Sequence, residues 1–108
     1  MTDLSANANE MEKMKCVVIV DSGGPEVLEL QERAVPVPEG EQVLIRVQYS
    51  GVNRPDVFQR KGHYRAPAGA PADIPGLEVS GEIVACGPRV TQWTPSDWVC
   101  ALLAGGGY

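Results

Sequence analysis

The sequence predicts a mostly β domain, a partly open barrel with one short helix. Three observations carry this expectation. Several short apolar runs are β-branched or alternate with polar residues, Gly and Pro punctuate them at frequent intervals, and one stretch carries both the start and the stop signals of a brief helix. With 108 residues, 44% of them hydrophobic, the chain can bury one modest core and has no room for a second full domain.

Thr2 to Lys13 is polar and shorter than the roughly 12 to 15 residues at which an isolated helix becomes even marginal in water. Residues 1–13 therefore read as a flexible N-terminal extension, and residues 14–108 as the folded domain. Cys16-Val17-Val18-Ile19-Val20 is nearly all apolar and β-branched, as expected of a buried strand, and Ser22-Gly23-Gly24-Pro25 breaks it. From Val27 to Arg33, Leu28 and Leu30 alternate with Glu29 and Gln31, the period of a strand with one wet face. Pro36, Pro38 and Gly40 end that element by removing amide donors and permitting a turn.

Gln42 to Tyr49 is the clearest strand, with Val43, Ile45, Val47 and Tyr49 expected on a buried face and Arg46 and Gln48 on the other. Asn53 then caps a short helix, supported by Pro55 in its first turn, Asp56 at its positive end and Gly62 just past Lys61. His63 to Asp73, rich in Ala and Pro, is a loop of a length that is more often functional than accidental. Glu78 to Cys86 is a strand whose internal Gly81 marks a bend or a close backbone approach. Gly87-Pro88 turns the chain, Pro95, Ser96 and Asp97 suit a second turn, and Trp98 to Leu103 is the final apolar strand. Gly105-Gly106-Gly107 has no helix after it to receive a pyrophosphate, so it reads as a loop and not as a nucleotide site.

A net charge of −5 without clustered Lys or Arg argues against nucleic acid and against an anionic membrane surface, which both require concentrated positive charge. No apolar run approaches the roughly 20 residues that span a bilayer, and the first residues lack the features of a secretory signal, so a cytoplasmic location is expected. Cys16, Cys86 and Cys100 are odd in number and lie in apolar runs, which predicts free, buried thiols. His63 is the only histidine and no Cys-x-x-Cys pair exists, so the ligand set for a zinc ion is lacking and no metal is expected.

The run Ser50 to Tyr64 is the most informative, because a strand leads directly into a capped turn that presents Asn53, Asp56 and Tyr64. Asn53 offers amide donors and Tyr64 a phenolic one. Each also has a plain structural reading: Asn53 as a helix cap, Asp56 as a partner of the helix dipole, Tyr64 as a loop cover. Arg54 and Arg60 read as a solvated helix face, and Trp93 and Trp98 as core or edge packing.

Together with Ile74-Pro75-Gly76-Leu77-Glu78-Val79-Ser80-Gly81-Glu82-Ile83-Val84, that run resembles the N-terminal catalytic domain of medium-chain dehydrogenases/reductases, in the zinc-independent NADPH:quinone oxidoreductase (zeta-crystallin-like) branch. The resemblance extends from Met14 to Tyr108. It implies a GroES-like fold and places the equivalents of Asn53, Asp56 and Tyr64 beside the nicotinamide and its ribose, with Asn53 and Tyr64 as the catalytic donors. Zinc-dependent relatives carry a cysteine near the position of Asn53 and a histidine at that of Leu77. Glu78 matches a glutamate that implies a structural ion pair, and Ser96-Asp97-Trp98-Val99 stands where Gly-Asp-Arg-Val is commoner.

What the resemblance implies for function is hydride transfer from NADPH to a quinone or conjugated carbonyl, by a whole protein that is a homo-oligomer and has a Rossmann domain beyond this chain. Without a metal Lewis acid, a conjugated acceptor suits such a site, because the incoming negative charge spreads over the conjugated system and ordinary donors complete its stabilisation. The chain taken alone is then expected to be inactive. The alternatives are an enoyl-thioester or enone reductase of the same superfamily and a non-catalytic GroES-like interaction module.

Overall fold

The computed structural model describes residues 12–108, so the predicted extension lies almost wholly outside the described residues. Five strands and one α-helix follow in order: β1 (Lys13–Ile19), β2 (Leu28–Ala34), β3 (Val43–Ser50), α1 (Arg54–Arg60), β4 (Glu78–Cys86) and β5 (Trp98–Leu102), with a single 3-10 turn at Pro25–Val27. The strands form two antiparallel sheets, a β1-β2 hairpin and a three-stranded sheet in the order β3-β4-β5. Among the described residues no ladder joins the two sheets, so the barrel is partly open, as the punctuated sequence predicts.

Lys13 already pairs with Ala34, so β1 starts within the expected extension. Val27, expected in the second strand, instead closes the 3-10 turn and is buried there. The hairpin register also corrects the expected wet face of β2. Leu30 lies opposite Val17 and is exposed, whereas Gln31 lies opposite the buried Cys16 and is half-buried. Directly paired residues share a face, so a register that turns Cys16 and Val18 inward turns Leu30 outward. Arg33, on the Gln31 face, makes a bidentate pair with Asp73 at 3.1 and 2.8 Å and so fastens the end of the long loop to the hairpin. The guanidinium holds the Asp73 carboxyl below the usual carboxylate range, against a smaller opposing effect of burial.

β4 is the central strand and buries Val79, Gly81 and Ile83 on one face. A Cβ at Gly81 would collide with the carbonyl oxygen of Arg46, so glycine permits the close backbone approach that its position in the strand predicts. The alternation expected in β3 holds only in part. Val43 and Ile45 are half-buried, but Val47 is exposed and Tyr49 is 72% exposed. Val47 follows Ile45 in unbroken register but lies opposite Gly81, which has no side chain to cover it, and a register shift between Val47 and Tyr49 places Tyr49 opposite Ser80, on the other face of the sheet.

Cys16, Val18 and Ile74 form a buried cluster against which Tyr108 packs. The final residues reach it by running beside the segment before β4. Gly106 N–H donates to the Ile74 carbonyl at 2.8 Å, Gly107 N–H to Gly76 at 3.1 Å and Tyr108 N–H to Pro75 at 2.9 Å. Val17 N–H donates to the Tyr108 carbonyl at 3.3 Å and the Ser50 hydroxyl to the Gly107 carbonyl at 2.6 Å, so this terminal run ties β1 to the end of β3.

Candidate active site

β3 ends at Ser50, and the chain turns through Gly51 and Val52 to Asn53, which caps α1 in an extended conformation. A Cβ on Gly51 would strike the side chain of Glu78, so glycine lets the outer end of β3 lie against the first residue of β4. Asn53 and Asp56 form a capping box. Asp56 Oδ2 accepts the Asn53 N–H at 2.9 Å, and the Asp56 N–H donates to the Asn53 carbonyl at 3.1 Å. Pro55 occupies the first turn, where its missing N–H costs nothing.

Asp56 is only 5% exposed, and its carboxylate joins three segments. Besides the Asn53 amide, Oδ2 accepts the Tyr108 hydroxyl at 2.7 Å, while Oδ1 accepts the Gly76 N–H at 3.2 Å. A buried carboxylate is tolerated when such donors replace water, and charge-assisted bonds of this kind are stronger than neutral ones. Burial first, and then the hydrogen bond to Asp56 and its charge, push the Tyr108 phenol above its ordinary value, so this hydroxyl keeps its proton and remains a donor. The two motifs separated by the Ala/Pro loop thus converge on one side chain.

Tyr64 is half-buried beyond the helix, and no hydrogen bond joins it to Asn53 or Asp56 among the described residues. The structure bonds Asn53 directly to Asp56. Two concavities, of about 400 and 500 Å³, lie elsewhere: one beside Tyr49, Glu78, Cys100 and Leu102, the other between the sheets beside Lys15, Ile45, Arg46 and Tyr108. Asn53, Asp56 and Tyr64 line neither.

The neighbouring residues bring several corrections. Arg60 is not a solvated residue: its Nε–H donates to the Gly23 carbonyl at 3.0 Å, and Gly23 N–H returns a bond to the Arg60 carbonyl at 3.0 Å, which docks the end of α1 onto the hairpin turn. Glu78 has no ion-pair partner among the described residues. Cys16 is buried as expected, but Cys86 is half-buried and Cys100 is exposed, because it lies on the open face of β5. Trp98, on that same face, is exposed and not packed. Gly106 and Gly107 spend their amides on Ile74 and Gly76, so this glycine run does not form a cradle for a pyrophosphate. Tyr108 and Gly76 build the site, yet neither is marked for it in the sequence. Tyr108 lies 52 residues from Asp56, and no local pattern marks such a partner.

Residues 39–107 match the family model of the alcohol dehydrogenase GroES-like domain. The chain belongs to that family. This GroES-like domain is 44% identical over 97 residues to the quinone oxidoreductase of Lama guanicoe, a match covering 88% of this chain and 29% of that protein. It is 38% identical over 97 residues to the human quinone oxidoreductase, with the same coverage. Among solved structures, human synaptic vesicle membrane protein VAT-1 homolog-like protein superposes with a TM-score of 0.82 at 32% identity, covering 90% of this chain and 31% of that one. The domain therefore spans about 29% of the length of these two quinone oxidoreductases and is a domain of an oxidoreductase family. Among the described residues, no helix is long and apolar enough to cross a membrane.

Proposed function

We propose that this chain is the substrate-side domain of an NADPH-dependent, zinc-independent reductase that transfers hydride to quinones or related conjugated carbonyls. The observation that supports this reading best is the convergence of the Asn53–Asp56 turn and the Pro75-Gly76-Leu77 segment on the Asp56 carboxylate, in a chain whose curated relatives include quinone oxidoreductases. Leu77, where zinc-dependent relatives place a histidine, has no metal-binding atom. NADPH supplies the hydride when bound. Asn53 and Tyr64 are the donors that stabilise the charge developing on the acceptor oxygens, and Asp56 serves the cofactor side by holding the Asn53 backbone in place. The acceptor is a small molecule, the whole protein is a cytoplasmic homo-oligomer, residues 14–108 are its GroES-like part, and the isolated chain turns over little or nothing for want of a phosphate-binding half.

The test is to express the whole protein encoded by the gene and to measure NADPH oxidation with a soluble quinone and with an enoyl thioester. Faster turnover of the quinone, from a preparation without stoichiometric zinc, is the expected result. Preference for the thioester reassigns the acceptor. A protein that oxidises NADPH with neither is a binding module, and the reading is wrong.

A further inference from the structure

Of the three donors on the Asp56 carboxylate, two are backbone amides and one is a side chain, the hydroxyl of Tyr108. The amides come from Asn53, in the same turn, and from Gly76, in the segment that leads into β4. A carboxylate in the first turn of a seven-residue helix has no long helix to hold it, so its direction depends on what it meets outside. Tyr108 has a firm seat from which to hold it. Its ring packs on the cluster of Cys16, Val18 and Ile74, and its backbone is bonded on both sides, to Pro75 and to Val17. Gly76 is shaped for this contact: it sits at φ +112°, and a Cβ there would lie 2.7 Å from both the ring and the amide nitrogen of Tyr108. The bond between Tyr108 and Asp56 thus connects the hydrophobic core to the turn that carries Asn53.

We propose that Tyr108 is a positioning residue for Asn53, acting through Asp56, so that the acceptor-side donor is held in register with the core by one phenol–carboxylate hydrogen bond. The proposal rests on the reading of Asn53 as an acceptor donor. Tyr108 itself touches no substrate. Its hydroxyl fixes Oδ2, the same oxygen that holds the Asn53 amide, so removing it leaves the carboxylate on the two amides alone and loosens the Asn53 turn. The core remains seated, since the ring and the backbone bonds of Tyr108 survive the loss of one oxygen.

Amide NMR on the 108-residue chain tests this with Tyr108→Phe and, as a control, Tyr49→Phe, whose ring lies on the exposed end of β3. In Tyr108→Phe the Asn53 and Gly76 amides are expected to exchange about tenfold faster relative to the Ile83 amide in the sheet, a selective change that uniform loss of stability does not produce. Titration with duroquinone, which perturbs Asn53 or Tyr64 in the wild type on the proposed reading, is expected to weaken by about threefold or more in Tyr108→Phe and to be unchanged in Tyr49→Phe. Unchanged relative exchange at Asn53 and Gly76 overturns the proposal. If Tyr108→Phe does not fold, Tyr108→Met, which keeps an apolar side chain on the core and removes the hydroxyl, is measured by the same two exchange ratios, and unchanged ratios overturn the proposal there too. Absence of any duroquinone response at Asn53 and Tyr64 in the wild type counts against the reading of the site, and the exchange ratios then decide the Tyr108 linkage separately.

Discussion

Asn53 and Tyr64 are held differently, and that difference separates their tests. The bond from Asn53 to Asp56 uses its backbone N–H, so Asn53→Ala leaves it in place, and only the capping contribution of the side chain, about 0.5 to 2 kcal/mol, is at risk. In the whole enzyme an active-site donor lost at this position is expected to lower kcat by about 100-fold or more, far beyond what that change in stability produces. Tyr64→Phe keeps the ring and is expected to lower kcat/KM with the melting temperature nearly unchanged. A variant pair that melts earlier but turns over normally marks both residues as structural. Tyr108 provides a pH test on the chain alone. Its phenol is raised in the folded state above its value in the unfolded chain, so the stabilisation is fully present below the ordinary tyrosine value of 10.0 and is lost as the pH rises from there toward the folded value. Chemical denaturation across that alkaline range is expected to show a loss of stability in the wild type that is smaller in Tyr108→Phe; identical slopes would refute the linkage.

The strand elements show how local backbone chemistry positions a site that they do not themselves form. β4 receives β3 through Gly81 and β5 through the turn at Pro95, Ser96 and Asp97. That turn is well bonded: Ser96 N–H donates to the Ile83 carbonyl and Ile83 N–H to the Asp97 carbonyl, both at 2.8 Å, and Asp97 Oδ2 accepts the Thr94 N–H at 3.0 Å. Ser96 nevertheless sits at φ +78°, the left-handed region that a Cβ disfavours. The chain carries serine here, and the backbone takes a conformation that favours glycine all the same, held by the hydrogen bonds on either side. Ser96→Gly is therefore expected to stabilise the domain by about 1 kcal/mol, the approximate cost of a non-glycine residue in this region. Urea denaturation measures it, and an unchanged or lower midpoint would mean that the turn is not strained.

Taken as a whole, the domain leaves one side of its three-stranded sheet uncovered among the described residues. Tyr49, Trp98 and Leu102 all face outward there, Leu102 at 86% exposure, and β5 is an edge strand. An exposed apolar edge attracts dyes and other chains without adding to the stability of the fold. Trp98→Lys combined with Leu102→Lys is expected to leave the unfolding midpoint within about 0.5 kcal/mol of wild type, as surface changes do, while reducing hydrophobic-dye fluorescence and light scattering. A large fall in the midpoint would show that these side chains pack in solution.

Local signals were legible in the sequence wherever the cause was local. The strands, the capped helix with Pro55 and Asp56, the close approach at Gly81 and the loop at Gly105–Gly107 follow from backbone preferences and short-range periodicity, which act within a few residues. The face of β2 and that of Tyr49 in β3 were not legible, because hairpin register and a register shift after Val47 set them, and a shift of one residue exchanges inside for outside. Nor was the centre of the candidate site. Asn53 and Asp56 are visible together as a cap, but Gly76 lies 20 residues and Tyr108 52 residues from Asp56, and only the folded chain brings their donors to one buried carboxylate. A charge buried that deeply persists only when hydrogen bonds replace its water, and those partners are supplied by three-dimensional packing, with no trace in the order of residues along the chain.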